Sequence, residues 1–497
     1  MAMRKSTVKK TGKPKASQAK PSKPMTGETT MAKNNLMGYL PNDSPPIGQM
    51  VLLGFQHVLT MFPATVFVAA LCGFHVGTVL TVSGVGTVVA LLLSKWRLGK
   101  FIPLFYGSSF SYIAAYLAIV QQMTGSLPQF GVPAPDNVIS TMQAGIIVTG
   151  ILNIIVGAAI RAIGKEKIDL ILPPVVTGSV AAIIGFGLAF AALGLAADNW
   201  AVAIVTLVVT ILFSVYLQGR GFIGMLPVLL GAIVGYIVSA LINPGSVSFA
   251  PVASAPWFAV PHFTLPSFSG ALVGTAIFSI SVMAIATIPE STAHLYQISL
   301  YVDRFAKDSG REPYELDKNI GFNLILDGVD DTLKGLFGAT AGTNYGENNS
   351  LMAITRNYSG PALIAAGVIA VLLGFVGKLA GLVQTVPLAV SGGLAIYLFG
   401  VIGMQGIALM QEHKVSMFNP RNLAVGATIM VVGIGGNIGY EGGFLPIPIL
   451  QGLFPSGLPA IATAAVLGII VNAIFLIFKP PLEEMEMGER AMASADD

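Results

Sequence analysis

Residues 344–355 read NYGENNSLMAIT, with GLFGATAGT just before them and a long apolar run after. One carboxylate, Glu347, sits between a glycine and two asparagines in a stretch that otherwise looks membrane-embedded. A charge at membrane depth is costly, so its default reading is functional. The stretch also has a partner earlier in the chain. YGSSFSYIA at 106–114 matches YGENNSLMA at 345–353. Each copy starts with small or polar residues and ends apolar. A full-length helix would place that polar start in lipid, so a discontinuous span fits better: irregular or strand-like backbone near the midplane, then a half-helix. Such backbone is tolerated at depth only where protein or a cavity satisfies its polar groups. Half-helix N-termini would then point partial positive ends inward.

Composition sets the class. The chain has 497 residues, 54% hydrophobic and 10% charged, against about 25% charged in a soluble domain. It is an integral membrane protein. The one cysteine, Cys72, excludes an internal disulfide and a two-cysteine metal site, and no metal site is expected. Basic residues crowd the N-terminus, from Arg4 to Lys33, in a Lys/Ser/Thr/Pro-rich tail that cannot bury enough to fold. Residues 1–46 are therefore expected to be a disordered cytoplasmic tail that anchors topology, with no role in nucleic-acid binding.

About fourteen spans are expected, starting near residues 48, 75, 101, 141, 169, 198, 221, 270, 319, 344, 361, 384, 421 and 458. Alternate connections carry the basic residues: Lys95, Arg97 and Lys100; Arg161, Lys165 and Lys167; Arg220; Arg304, Lys307, Arg311 and Lys318; Arg356; Lys414 and Arg421; Lys479. The opposite loops 121–138 and 243–268 have none, and Lys378 is the exception. This pattern puts both termini in the cytoplasm. A second matched pair, PPVVTGSVA at 173–181 and PLAVSGGLA at 387–395, follows the first in the same order. Seven spans per half is odd, so the halves run with opposite topology, the inverted-repeat plan of secondary transporters. The resulting reading is an all-α polytopic protein with repeats at 47–242 and 270–480. An extracellular loop at 243–269 joins them, and a cytoplasmic tail fills 481–497.

Four ionisable residues fall inside apolar spans: His57, Glu290, His294 and Glu347. Glu347 follows Tyr345 and Gly346 at a half-helix start, where the helix dipole favours a carboxylate. Ligand contact is the working reading; the plainer one is a helix cap aided by Asn348 and Asn349. Glu290 and His294 lie four apart, on one helix face, and Pro289 suggests a break just before the acid. Together they could load and release a proton, or form a structural pair. His57 reads equally as a proton-coupling group or as a histidine bonded between helices. Asp327, Asp330, Asp331 and Lys334 form one polar stripe that faces a cavity or an interface, or pairs internally.

These residues resemble the nucleobase–ascorbate transporters (nucleobase-cation-symporter type 2), and within them the bacterial uracil:proton symporters. The similarity runs over roughly 48–480. Its carriers are FQH at 55–57, YGSSF at 106–110, Glu290 with His294, YGEN at 345–348, MAITR at 352–356, GKLA at 377–380 and VPLAVSGG at 386–393. Two departures stand out: Ser350 where the span-10 signature has glycine, and ESTAH at 290–294 where the uracil carriers have EHxGH. The resemblance implies a core domain (spans 1–4 and 8–11), a gate domain (5–7 and 12–14), short strands opening spans 3 and 10, and a homodimer. It also implies that Glu290 and Glu347 hold the base edge, that Phe110 and Tyr345 add ring or backbone contacts, and that His294 takes part in proton coupling.

The chemistry suits a nucleobase. Uracil and xanthine present alternating N–H donors and C=O acceptors, and a carboxylate accepts from N–H. Gly346 and Asn348 beside Glu347, with backbone groups at the strand starts, would complete the pattern. The expected function is a proton-coupled importer in the plasma membrane with uracil as leading substrate. A purine such as xanthine comes second, sodium is the other coupling ion, and an anion transporter of the same fold is less favoured. No catalytic residue and no cofactor are expected.

Overall fold

The computed structural model describes residues 38–478 except 165–168, 219, 221–222, 225, 451–453 and 455–456. Most of the expected tail, residues 1–37, lies outside the described residues, as do Lys165, Lys167, Lys479 and residues 481–497. The end of that tail does not follow the expectation. Leu40 is buried, Tyr39 N–H donates to the Arg356 carbonyl at 3.0 Å, and Tyr358 N–H donates to the Tyr39 carbonyl at 2.7 Å. One apolar side chain and a stretch of backbone pairing are enough to fix 38–46 once a neighbouring segment offers its edge.

The first half begins with α1 (Ile47–Cys72) and α2 (Val76–Leu98), joined by a turn at Gly73. Gly73 has φ 74°, the left-handed conformation that glycine tolerates best. Lys95 and Arg97 occupy the last turn of α2, where they complement the helix dipole. Next come β1 (Tyr106–Ser108) and the short helix α3 (Ile113–Thr124), then α4 (Asp136–Ile163). An acid opens α4 and Arg161 closes it, both favourable to its dipole. Beyond lie α5 (Pro174–Gly187), α6 (Ala189–Ala196), α7 (Trp200–Tyr216), α8 (Pro227–Ile242) and the short α9 (Ala250–Ser254).

The second half opens with α10 (Val273–Ser281) and α11 (Ala284–Asp308), followed by α12 (Ile320–Phe337), β2 (Gly342–Asn344) and α13 (Gly346–Thr355). Then come α14 (Gly360–Gly374), α15 (Gly377–Val383), α16 (Leu388–Glu412) and α17 (Pro420–Met430). A π-turn and α18 (Gly436–Gly439) lead through the small ladder of β3 (Phe444–Leu445) and β4 (Leu458–Pro459) to α19 (Ala460–Ile477). Eight helical segments are long and apolar enough to cross a membrane, among the described residues; Trp200–Tyr216, Pro227–Ile242 and Gly360–Gly374 are apolar but shorter. The chain is a mostly helical, multi-pass membrane protein.

The expected break at Pro289 lies elsewhere. Helix α11 runs through Pro289, and the interruption falls at Val282–Met283. A proline ring crowds the carbonyl four residues back, here Ile285, which lies inside α11, so Pro289 does not account for the interruption.

Helix α2 packs on α14, α4 on α12, and α5 on α16. Glycines let these helices approach closely. A Cβ added at Gly84 would run into the Gly367 carbonyl, and one at Gly328 into the Gly150 carbonyl. Small residues at helix contacts are how membrane helices gain packing without a hydrophobic drive between them. We therefore expect Gly84→Leu to destabilise the protein by about 1–3 kcal/mol or more, read as a lower melting temperature in detergent. A melting temperature equal to wild type would mean that α2 and α14 do not meet there.

Lys378, the exception to the charge pattern, donates to the carbonyls of Val252 at 2.6 Å and Ala253 at 3.2 Å. Its charge is spent on α9, where free carbonyls favour a cation.

Candidate functional site

The two Tyr-Gly segments meet. β1 and β2 pair antiparallel with Tyr106 opposite Asn344, Gly107 opposite Thr343 and Ser108 opposite Gly342. The ladder extends one step each way, through Tyr345 N–H to the Phe105 carbonyl and Ser109 N–H to the Ala341 carbonyl. Glycine at 107 is required by contact, because a Cβ there would collide with the Tyr345 ring.

Backbone groups not used in the ladder are taken by side chains. Tyr106 N–H donates to Thr87 Oγ1 at 3.0 Å, and Gly342 N–H to Asp331 Oδ1 at 2.7 Å. Lys334 Nζ donates to the Gly107 carbonyl at 2.9 Å, and Tyr345 Oη to the Ser108 carbonyl at 2.9 Å. His294 Nδ1 lies 2.8 Å from the Asn344 carbonyl and 2.9 Å from Asn344 Oδ1. The strand backbone, expected to read the ligand, is thus largely consumed by the protein. The donors left over are the first amides of α13, which has no side-chain cap.

Behind the ladder lies the polar stripe of α12, and it pairs internally. Lys334 and Asp330 form a buried ion pair at 2.7 Å. Asp331 also accepts from Asn153 Nδ2 at 3.1 Å. Ser291 Oγ donates to Asp327 and accepts from Asn344 at 2.6 Å and Asn323 at 2.8 Å. Ser291 holds the position where the uracil carriers have histidine, and here it ties α11 to α12.

In front of the ladder the side chains open outward. Glu347 is exposed, while Glu290, His294, Gly346 and Phe110 are half-buried. A Cβ on Gly346 would come 2.7 Å from His294 Nε2, so the smallest residue keeps the imidazole beside the helix start. Phe110 stacks on Phe67 with centroids 6.2 Å apart. Gly346 and Glu347 thus open α13 beside His294, with Glu290 one turn before His294 on α11.

Three expected residues sit differently. Tyr345 is buried, its hydroxyl 2.9 Å from Thr65 Oγ1 as well as bound to Ser108, so its ring braces the ladder. Asn348 is fully buried and donates to His57 Nδ1 at 3.1 Å and the His57 carbonyl at 3.2 Å. Its amide nitrogen thus joins α13 to α1, while its Oδ1 has no hydrogen-bond partner. His57 is buried with it, which matches the reading of a histidine bonded between helices. A helical turn of 100° separates neighbours, so Glu347 and Asn348 cannot face the same way. Asn349 likewise turns inward, to the His294 carbonyl at 3.0 Å. Ser350, the departure from the signature, donates to the Gly346 carbonyl one turn back at 3.1 Å.

A separate cavity of about 640 Å³ lies between α5, α7 and α16, lined by Phe186, Leu207, Ile396 and Met404 among others. Its lining is apolar and it lacks the paired acids, so it does not compete as the site.

The Permease family model Xan_ur_permease matches residues 48–442. The uracil permease of Bacillus caldolyticus is 33% identical over 441 residues, covering 87% of this chain and 93% of its own. The uracil permease of Escherichia coli K12 is 33% identical over 412 residues, covering 80% and 88%. The transmembrane domain of the cyanobacterial bicarbonate transporter BicA superposes with a TM-score of 0.54 at 16% identity, covering 80% of this chain and 98% of that one; this likeness speaks for the fold alone. These matches, over the segments that include the paired Tyr-Gly strands, make the chain a member of the nucleobase–ascorbate transporter family.

Proposed function

We propose that the protein is a secondary active transporter that imports a nucleobase, uracil first, together with a proton. The observation that carries this reading is Glu347 at the uncapped start of α13, where Gly346 lies against His294 and Glu290 sits one turn before His294 on α11. A carboxylate accepts from a ring N–H, and the free α13 amides donate to a ring carbonyl. This is the alternating pattern of a pyrimidine edge. The relatives named uracil permeases match 87% and 80% of the chain. A proton entering the cluster relieves repulsion between the two acids, so proton and substrate affinities become linked. Anion transport is disfavoured because two acids repel an anion. No chemical step is involved, and the site calls for no cofactor.

In this reading the fourteen spans form two inverted repeats. The matched contacts α2–α14 and α4–α12 support it, since each joins the second span of one half to the fourth of the other. Spans 1–4 and 8–11 make the core, the rest the gate. The protein works as a homodimer in the plasma membrane with both termini cytoplasmic.

Uptake of radiolabelled uracil in cells lacking base transporters tests this. Unlabelled bases serve as competitors, and the proton gradient is collapsed in a parallel arm. We expect saturable uracil uptake that falls when the gradient is lost. Strong xanthine uptake with none of uracil would move the substrate to the purines, and dependence on sodium alone would replace the coupling ion.

A further inference from the structure

A second group of chemistry-bearing side chains lies at the other end of α2 and α4 from Lys95, Arg97 and Arg161. His75 precedes α2, Asp136 opens α4, and His262 sits in the segment that joins the two halves. Their ligand atoms all fall within 4.8 Å of one another. His262 Nε2 is 3.0 Å from both oxygens of Asp136. The His75 and His262 rings are 4.4 Å apart by centroid. His75 Nε2 is buried and has no hydrogen-bond partner.

The supports of the three ligands are joined to one another. Thr78, in the first turn of α2, donates to the His262 carbonyl at 2.7 Å. Gln143 of α4 exchanges hydrogen bonds with Thr264, to its carbonyl at 2.8 Å and from its hydroxyl at 2.7 Å. Ala134 N–H donates to the Gly73 carbonyl at 2.7 Å, tying the approach of α4 to the α1–α2 turn. Each ligand-bearing segment is thus latched to the next within three residues on one side and seven on the other.

We propose that His75, Asp136 and His262 bind a divalent transition-metal ion of the zinc class. Two imidazoles and one carboxylate are a donor set suited to such an ion, with protein ligands about 2.0–2.2 Å from it. Tetrahedral ligands at that radius lie roughly 3.3 Å apart, close to the His262–Asp136 separation, so a small inward turn of His75 closes the set. The side chains of His262 and Asp136 are 51% and 62% exposed, which leaves a fourth position for water. Bound metal staples the inter-half segment to α2 and α4. In the orientation proposed above the site opens outside the cell, where an ion reaches it without crossing the membrane. Sequence spacing gave no hint of it, because the ligands come from three separate segments.

The test uses full-length protein purified without a polyhistidine tag and stripped with a chelator. Calorimetry with zinc should show one site per chain, and the melting temperature should rise with zinc but not with magnesium. Cobalt should give the visible absorption of a low-coordinate site. His262→Ala and Asp136→Asn, both at exposed positions, should weaken zinc binding at least about tenfold while eluting as wild type on size exclusion. Absence of a zinc site in the wild-type protein overturns the proposal and leaves an ordinary His–Asp ion pair. Wild-type affinity in either variant overturns it as well.

Discussion

Glu347→Gln reaches the membrane in normal amount and loses most nucleobase uptake. The side chain is exposed at the start of α13 and carries no cap or strut, so its removal leaves the packing untouched. What it removes is a charged acceptor. A hydrogen bond to a charged group contributes about 1.5–3 kcal/mol, which corresponds to roughly 10- to 150-fold in affinity. The amide also keeps one oxygen while adding a donor where an acceptor is needed. Uptake at a fixed low substrate concentration, normalised to surface protein, measures the effect. Near-normal uptake would take Glu347 out of the site. Asn348→Asp makes the control: a change at the neighbouring residue should act through the His57 contact and lower stability, because that side chain is fully buried and its nitrogen donates to His57.

Lys334→Met is expected to hit accumulation of folded protein hardest. Lys334 is fully buried, paired with Asp330 at 2.7 Å and bonded to the Gly107 carbonyl at 2.9 Å. Removing one member of a buried pair strands the other charge and costs about 3–5 kcal/mol. That is a large share of the 5–15 kcal/mol typical of a folded protein. The double change Asp330→Asn with Lys334→Met removes both charges and should recover part of the loss. Monodisperse protein after detergent extraction, and its melting temperature, report the result. A single variant as stable as wild type would show that the pair carries no structural charge balance.

Much of this was legible in the sequence. The polar openings of the two Tyr-Gly segments announced broken spans, since lipid forbids such backbone unless something satisfies it. The four-residue spacing of Glu290 and His294 placed them on one face, and the spacing from Asp327 to Lys334 showed one polar stripe without deciding among a cavity, an interface and internal pairing. Other features were hidden. Self-similarity said that two segments were alike, but not that they would hydrogen-bond to each other and so exhaust their own backbone. The direction of Asn348 depends on the rotation of α13, which the strand ladder fixes through tertiary contacts. Pro289 suggested a break just before Glu290, yet the helix continues through it. The grouping of His75, Asp136 and His262 depends on folding alone.

The strand pair has one further consequence, for assembly. Tyr345 and Ser108 are joined by a hydrogen bond although 237 residues separate them. When the first half enters the membrane, Gly107 and its neighbours have no ladder, and Lys334 has not yet been synthesised. Contacts this distant in sequence form late, after their loop-closure entropy has been met. The early half must therefore wait with polar backbone unsatisfied at membrane depth, a state that favours water, a chaperone or the insertion machinery over lipid. Transport competence and completion of the fold arrive in the same step, when β2 closes on β1.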